Sequence, residues 1–458
     1  LVRSGEIVPT DGTLIENAVL DESALTGEPL PVSRSNGDAI SSGVVNAGSP
    51  FFFEATTTSE ASTYAGIIKL VRQAQAKTAP GVRVANKWAV RFLPVALFIA
   101  GAAWAITGDP KRAVAVLVIA TPCPLILAVP IAVVAGLSKA AKSGAVIKGG
   151  AILELLAQTE TVLLDKTGTL THGGPAITEI NTAPGLSDDE LLQLAASVDQ
   201  FSPHVVAKAL IFEAKRRELS LYAVSDISED AGHHISGVIA GRLIRVGQIA
   251  GEKPDWLHFS HPLMVGVESD GALIGVIGLK DPIRPESRAM VSALRASGVK
   301  HIALVTGDRE ETAQEVAAEV GITEIYANVS ASGKLEIARK AQSESKGSVI
   351  VVGDGINDAP ALAAADVGVA MGARGASAAS EAADVVIVED SIDRLTQAIA
   401  IAKSSRTKAI QAAGIGMGLA VIGMTLGAFG ILSPSQGAIA QEFIDVIAIL
   451  WALTALRR

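Results

Sequence analysis

The heptapeptide Asp165-Lys166-Thr167-Gly168-Thr169-Leu170-Thr171 closes the apolar run Thr161-Val162-Leu163-Leu164. A short buried strand that delivers a carboxylate into a polar, glycine-containing turn is how α/β proteins present a reactive group at the carboxyl edge of a sheet. Placed there, Asp165 can attack a phosphoryl group and hold it as an acyl phosphate, which is covalent catalysis by a carboxylate. An ordinary acidic turn after a strand is the alternative that Asp-Lys-Thr-Gly alone leaves open. Other stretches end in the same manner. His301-Ile302-Ala303-Leu304-Val305 leads into Thr306-Gly307-Asp308, and Ser348-Val349-Ile350-Val351-Val352 leads into Gly353-Asp354-Gly355-Ile356-Asn357-Asp358. Both runs read as buried parallel strands, whose terminal carboxylates converge on one edge of a sheet. With Asp165 they could hold Mg2+, which takes oxygen ligands and bridges phosphates.

A different chemistry is spelled by Thr121-Pro122-Cys123-Pro124, which holds the single cysteine of the chain inside an apolar stretch. Proline in a helix removes amide donors and clashes with carbonyls one turn back, so the helix should open locally. Non-helical backbone at membrane depth persists only where protein buries it or it lines a cavity. Freed carbonyls beside a thiol make a transient ion site; a kinked helix burying a small hydrophobe is the plainer reading. The last apolar stretch carries Gln441, Glu442 and Asp445. Their spacings of three and four are expected to place these side chains on one helical face. Ionisable groups inside a bilayer cost roughly 2.5–3.5 kcal/mol each on insertion scales, so they mark an ion path unless they sit at the wet interface. Met417 and Met424 share a face of the preceding stretch, where core packing accounts for them.

The elements that must carry these groups are legible in outline. At 458 residues the chain is long enough for two or three domains. A hydrophobic share of 49%, only 4% aromatics and a mean hydropathy of +0.41 suit small-residue-rich membrane helices joined to α/β domains. The net charge of −9 argues against a nucleic-acid partner, which needs a basic footprint. One cysteine excludes an internal disulfide framework. The first sixty or so residues alternate short β-rich runs with turns such as Ser35-Asn36-Gly37-Asp38, as in a small sandwich or barrel. Because Leu1-Val2-Arg3-Ser4 reads like the middle of such a domain, the chain is expected to be an amino-terminally truncated fragment. A helical connector follows, then membrane helices expected over 86–107 and 113–137, and near the end over 409–432 and 438–456. Lys87, Arg91, Lys139, Lys142 and Lys148 flank the first pair and Lys403, Arg406, Lys408, Arg457 and Arg458 the second, which puts those ends inside. Lys111 and Arg112 in the outer turn run against that rule.

The heptapeptide resembles the phosphorylation motif of P-type ATPases, and Thr121-Pro122-Cys123 resembles the Cys-Pro-x region of their heavy-metal (type IB) members, with threonine where cysteine is commonest. The resemblance spans nearly all of the chain and also rests on Thr26-Gly27-Glu28 and on Gly353 to Asp358. It implies a multidomain membrane protein with a partial all-β actuator domain over 1–78 and α-helical transmembrane segments. It further implies an α/β haloacid-dehalogenase-like phosphorylation domain over 158–172 and 279–402, with an α+β nucleotide-binding domain inserted at 173–278. Asp165 then matches the nucleophile, with Lys166 and Thr167 beside it; Thr306, Gly307, Asp308 and Lys334 match the phosphoryl-contacting groups. Asp165, Thr167, Asp354 and Asp358 match the Mg2+ site, and Glu28 matches the glutamate that positions water for hydrolysis. Phosphatases of the superfamily carry an aspartate general acid where Thr167 stands, so the acyl phosphate should survive until Glu28 arrives.

In the nucleotide-binding region Ser202-Pro203-His204-Val205 stands where the family usually carries Ser-Glu-His-Pro, and Gly232-His233-His234-Ile235 where Gly-x-Gly is usual. His204, Gly232 and Gly237 are the expected nucleotide contacts. His233 and His234 read as a solvated turn, and Gly241 and Gly247 as hairpin glycines. The function implied is ATP-driven export of a divalent transition metal, with Cys123, Gln441, Glu442 and Asp445 as its ligands. The mixed donor set suits divalent iron, cobalt, nickel or zinc. The Thr121-Pro122-Cys123-Pro124 form with Gln441, Glu442 and Asp445 resembles the subgroup associated with nickel, iron and cobalt, with zinc or Cu(I) export as the same-class alternative. An aspartate-based phosphatase and a non-pumping metal sensor are the rivals of another class. The implied cofactors are ATP and Mg2+. The implied partners are the transported ion and the lipid bilayer, with room for a metal chaperone, in a multi-pass plasma-membrane protein whose soluble domains are cytoplasmic.

Overall fold

The structure is a computed structural model that describes residues 1–22, 31–59, 83–121, 123–202, 204–230, 234–249, 263–372 and 382–456, with residues 62, 65, 256, 257 and 379 between them. Short strands open the chain: β1 (Gly12–Leu14), β2 (Ala18–Asp21), β3 (Val32–Arg34), β4 (Ala39–Ile40), β5 (Val45–Asn46) and β6 (Phe53–Ala55). They form two three-stranded sheets, ordered β4-β1-β6 and β3-β2-β5. Alternating burial turns Leu14, Leu20 and Ile40 inward against Val2, Val8, Val44 and Phe51. Arg34 donates from Nε and Nη2 to the two carboxylate oxygens of Glu22, both at 2.9 Å. That fork pins both ends of the 23–30 segment. Thr26, Gly27 and Glu28 themselves lie outside the described residues.

Helix α1 (Arg83–Thr107) ends at Gly108, whose φ of +67° reverses the chain. Helix α2 (Pro110–Ile119) begins at once: Asp109 accepts from Lys111 N at 3.0 Å, and Pro110 supplies a preset φ at the first helical position. The helix stops after Ile119, and α3 (Cys123–Lys142) resumes on the far side of Pro122. The expected 113–137 segment is therefore two helices, starting earlier and ending later than the hydropathy alone suggests. The cap at Asp109 and the proline pair set those limits.

Next come β7 (Ala145–Ile147), α4 (Gly150–Leu156) and β8 (Thr159–Leu164). From there the chain leaves for β9 (Ala176–Thr182), α5 (Asp188–Asp199), α6 (Val205–Arg216), β10 (Ser225–Asp230), β11 (His234–Ile239), β12 (Arg242–Gly247), β13 (Leu263–Ser269) and β14 (Ala272–Lys280). These strands make an antiparallel sheet ordered β10-β11-β12-β13-β14-β9. Leu191, Leu192, Val206 and Leu210 of α5 and α6 share its core with Ile235, Ile244, Val246 and Val267.

The chain returns through α7 (Ser287–Ala296), β15 (His301–Val305), α8 (Glu310–Val320), β16 (Glu324–Tyr326), α9 (Ala331–Glu344), β17 (Ser348–Gly353), α10 (Ala359–Ala364), β18 (Val367–Met371) and β19 (Val385–Ile387). The resulting sheet is ordered β16-β15-β8-β17-β18-β19-β7 and is parallel except where β7 meets β19. β8 lies between β15 and β17, so Val162, Leu163 and Leu164 are buried on both faces, which is why that run is continuously apolar.

Helix α11 runs unbroken from Asp393 to Ala428, 36 residues or about 54 Å. The expected boundary between a soluble segment ending at 402 and a membrane helix starting at 409 therefore falls inside one continuous helix. The intervening Lys403-Ser404-Ser405-Arg406-Thr407-Lys408 contains no proline or glycine to stop the helix. Helix α12 (Pro434–Leu453) starts on a capping box between Ser433 and Gln436. Among the described residues, Asp393–Ala428 and Pro434–Leu456 are long and apolar enough to cross a membrane. Ala128 and Ala132 of α3 pack with Ala409, Ala412 and Ala413 of α11 and with Ala448 and Ala452 of α12. Such a seam of small side chains lets helices approach closely where lipid supplies no hydrophobic drive.

Candidate functional site

Asp165 stands one residue beyond β8, its N–H donating to Val352 O of β17 at 2.9 Å. The chain then makes a wide turn through Gly168, whose φ is +71°. A Cβ at Gly168 would sit 1.6 Å from Asp354 Oδ2, so only glycine lets the turn and that carboxylate share the space. The far side of the turn is tied down by buried charge. Thr171 Oγ1 donates to Asp281 Oδ2 at 2.6 Å, and Gly173 N donates to Asp281 Oδ1 at 3.0 Å. The guanidinium of Arg284, 2% exposed, donates to Thr171 O at 3.0 Å, to Gly168 O at 3.2 Å and to Asp390 Oδ1 at 2.5 Å. Asp390 lies just ahead of α11, so one side chain joins this turn to the root of the long helix.

The remaining groups arrive from neighbouring strands, as the parallel topology requires. Asp354 and Asp358 follow β17, and Thr306 and Asp308 follow β15. Thr306 is buried and its Oγ1 accepts from Asp308 N at 3.2 Å; the Asp308 carboxylate pairs with Lys166 Nζ. Lys334 comes from the first turn of α9, which Ser330 caps by accepting from Gly333 N at 3.2 Å. Its ammonium, buried with the rest of the side chain, donates to Asp165 Oδ1 and to Asp358 Oδ1, each at 2.6 Å. Burial and then repulsion from Asp358 raise the Asp165 carboxyl above the usual carboxylate range, and Lys334 opposes both. Burial alone would lower Lys334, but the two carboxylates outweigh it and hold the ammonium charged. One oxygen each of Asp165, Asp354 and Asp358 lie within 4.8 Å of one another. An all-oxygen set of that size, cradled by Gly168, fits Mg2+ with ligand positions left for phosphate. The edge can therefore carry out phosphoryl transfer to Asp165, with Lys334 as a fixed positive charge beside the nucleophile.

A cavity of about 170 Å3 opens in the six-stranded sheet domain, lined by Asp199, Ser202, His204, Glu229, His234, Val246 and Gly247 among others. Val206, Ile235, Leu263, Met264 and Val265 give it apolar walls, as a flat heterocycle requires. His204 Nδ1 caps α6 by accepting from Val206 N at 3.3 Å, and burial lowers its pKa, so the ring is neutral with its proton on Nε2. Glu229 accepts from Ser202 Oγ at 2.8 Å. Asp199 is 5% exposed; burial and then Glu229 push its carboxyl up to about 7.

Here sequence reasoning needs correction. Gly237 is in mid-β11 opposite Ile244, away from the cavity, and a Cβ there would press on Val224 at 2.4 Å. Its glycine serves sheet packing. His234 is not in a solvated turn: it opens β11, is half-buried and lines the cavity, as does Gly247. Gly232 and His233 lie outside the described residues. Asp199 and Glu229 were missed, although a carboxylate closing the apolar helix run Leu191–Val198 was a legible signal for the former.

At the helix break, Gln441 of α12 is 5% exposed and Asp445 8%. Gln441 Nε2 donates to Thr121 O, a carbonyl in the break between α2 and α3, at 3.3 Å and to Asp445 Oδ1 at 3.0 Å. Gln441 Oε1 is buried and finds no hydrogen-bond partner among the described residues. Glu442, expected on the same face, is exposed. One residue turns a helix by about 100°, which carries Glu442 off the inward stripe that the four-residue spacing of Gln441 and Asp445 defines. Cys123 heads α3, and its side chain lies outside the described ones.

Residues 159–366 match the haloacid dehalogenase-like hydrolase family, and residues 1–72 match the P-type ATPase actuator domain. The chain is 35% identical over 472 residues to a copper-transporting P-type ATPase of Rhizobium leguminosarum bv. viciae, covering 98% of this chain and 56% of that protein. It is 34% identical over 467 residues to a manganese-exporting P-type ATPase of Mycobacterium tuberculosis (strain ATCC 25618 / H37Rv), covering 98% and 64%. A crystal structure of a zinc-transporting PIB-type ATPase in its E2.Pi state superposes with a TM-score of 0.85 at 31% identity, covering 100% of this chain and 78% of that one. The chain thus spans a little over half the length of the curated relatives it matches.

Proposed function

The chain belongs to the heavy-metal (type IB) P-type ATPases, and from that premise we propose that it drives export of a transition-metal ion by cycling through an acyl phosphate on Asp165. The observation that carries this reading is the bridge of Lys334 between Asp165 and Asp358 at the edge where Asp354 also converges. ATP bound in the inserted domain presents its γ-phosphoryl group to Asp165. A carboxylate oxygen attacks phosphorus, the bond to the β-phosphate oxygen breaks, and ADP leaves. Lys334 holds the attacking carboxylate in place, while buried Thr306 and the Lys166–Asp308 pair stand at the ends of β15 and β8. Asp165, Asp354 and Asp358 would hold Mg2+, which when bound offsets the negative charge of the phosphoryl group. Glu28 is the group we assign to hydrolysis of the acyl phosphate.

The ion path we assign to Thr121 O, Gln441 and Asp445, together with Cys123. The unpartnered Gln441 Oε1 supports it, since a buried amide oxygen without a donor is one that a cation would satisfy. Glu442 drops out of the inward set. One sulfur among oxygen donors favours a divalent ion over Cu(I), and we retain nickel, cobalt or iron as the first expectation. The relatives named for copper, manganese and zinc make those ions the comparison arms of the test.

Trapping of acid-stable, hydroxylamine-sensitive label from γ-labelled ATP tests the first claim. Label should form on the wild-type chain and vanish in Asp165→Asn; label that persists there sinks the reading. In the intact transporter, Cys123→Ala and Gln441→Ala should each lower metal-stimulated phosphorylation by about 10-fold without changing its dependence on ATP. Stimulation by Cu(I) alone would reverse the choice of ion.

A further inference from the structure

His234 lines the cavity at the start of β11, and its surroundings dictate which of its nitrogens can work. Arg245 Nη2 lies 2.9 Å from His234 Nδ1. A guanidinium has only hydrogens to give, so Nδ1 accepts and carries no proton. The neutral ring then keeps its hydrogen on Nε2, which is a donor and not an acceptor. The ring lines the cavity that also holds Asp199, Glu229 and His204. Charge is distributed unevenly around that cavity. Glu229 supplies a carboxylate, which suits the amine hydrogens of a base and repels phosphate, and burial shifts its neighbour Asp199 toward the neutral form. Across β11 and β12 the His234–Arg245 pair supplies donors and positive charge; Glu268, 3.6 Å from Arg245 Nη1, offsets only part of it. Asp230, whose nearer oxygen is 3.8 Å from His234 Nδ1, lines the cavity rim with its side chain 62% exposed, so water screens its charge.

We propose that His234 contacts the nucleotide directly, its Nε2–H donating to an oxygen of the sugar–phosphate part, with Arg245 as the residue that positions the ring. This rests on reading the cavity as the ATP site.

Equilibrium binding to the whole chain, with ATP and with free adenine as probes, tests it. His234→Ala should weaken ATP about 10-fold and leave adenine within about 2-fold. His234→Gln, whose amide can present an N–H at a similar reach, should stay within about 3-fold of wild type for ATP. Arg245→Met should weaken ATP about 5-fold through the freed ring, and Arg245→Lys should recover most of that. An alanine variant that binds ATP like wild type overturns the proposal. So does a loss shared equally by adenine that glutamine fails to rescue, because the ring would then be shaping the sheet. A wild-type chain that binds neither probe fails at the earlier step, the identity of the cavity, and takes this inference with it.

Discussion

The phosphorylation edge and the nucleotide cavity each bring two carboxylates face to face, and each leaves one carboxyl raised, but only the first sets a cation between them. Lys334 lies 2.6 Å from both Asp165 and Asp358 and pulls the Asp165 carboxyl down against the burial and repulsion that raise it. Between Asp199 and Glu229 no lysine or arginine intervenes among the cavity-lining residues, and burial shifts Asp199 toward its neutral form instead. The first arrangement holds a fixed cation against the nucleophile where a phosphoryl group will arrive. The second removes charge from a pocket that must accept an uncharged heterocycle. Fixed charge belongs where charge develops in the reaction, and neutral polarity belongs where only a base is read.

Removing the cation is the sharpest way to break this contrast. Lys334→Met leaves Asp165 and Asp358 buried without a counter-charge, and one of them must take up a proton. Phosphoenzyme formation should fall by about 10²–10³-fold, the size expected for losing a preorganised charge beside the reacting group. ATP affinity should hold within about 3-fold, because the cavity contains no part of that network. Rapid-quench labelling and equilibrium ATP binding on the same preparation separate the two quantities. A variant that loses ATP binding in parallel would mean the regions are not independent.

Gly168→Ala perturbs the same edge by shape alone. The added methyl would meet Asp354 Oδ2 at 1.6 Å, and the backbone there has φ of +71°. Asp354 must swing away or the turn must open. A 10- to 100-fold loss of phosphoenzyme is expected, with the Mg2+ concentration for half-maximal labelling raised. Unchanged Mg2+ dependence would argue that Asp354 does not hold the ion.

These positions also mark how far the sequence could be read. The strands carrying Asp165, Thr306 and Asp354 were legible because a parallel sheet buried on both faces writes itself as continuous apolar runs ending in polar loops. Lys334 was visible only by resemblance, since nothing in its own spacing says that a helix start will aim it back at β8. Arg284 was not visible at all: its partners Thr171, Gly168 and Asp390 lie more than a hundred residues away, and a buried guanidinium looks like any other arginine in sequence. The nucleotide cavity was the hardest. It is assembled from strand ends and helix caps, so position along β11 decides that His234 and Ile235 at its start line the cavity while Gly237 farther along serves packing, and that placement depends on pairing with β12. The helix break followed from proline chemistry. That Gln441 and Asp445 turn inward while Glu442 does not needed the orientation of α12, which three polar letters in an apolar run do not specify.

Asp199 provides the smallest effect and the cleanest test of the second arrangement. Its carboxyl is raised from 3.8 to about 7 on folding, with burial as the first cause and Glu229 as the second. The folded state therefore holds a proton that the unfolded chain releases near pH 4. By linkage, stability falls as pH rises wherever the folded state binds more protons. The contribution is complete below about pH 4, declines across the interval up to about pH 7, and is gone above it. Asp199→Asn keeps the size and polarity of the group but cannot ionise. It should flatten that decline, leaving the nucleotide-binding region about 1–2 kcal/mol more stable than wild type at pH 8 and nearly equal to it at pH 4. Urea titrations at the two pH values, followed by a probe in the six-stranded sheet, measure the difference. An asparagine variant whose stability runs parallel to wild type across the whole interval would mean that Asp199 stays ionised in the fold, and the contrast with the Lys334 site would have to be sought in something other than charge.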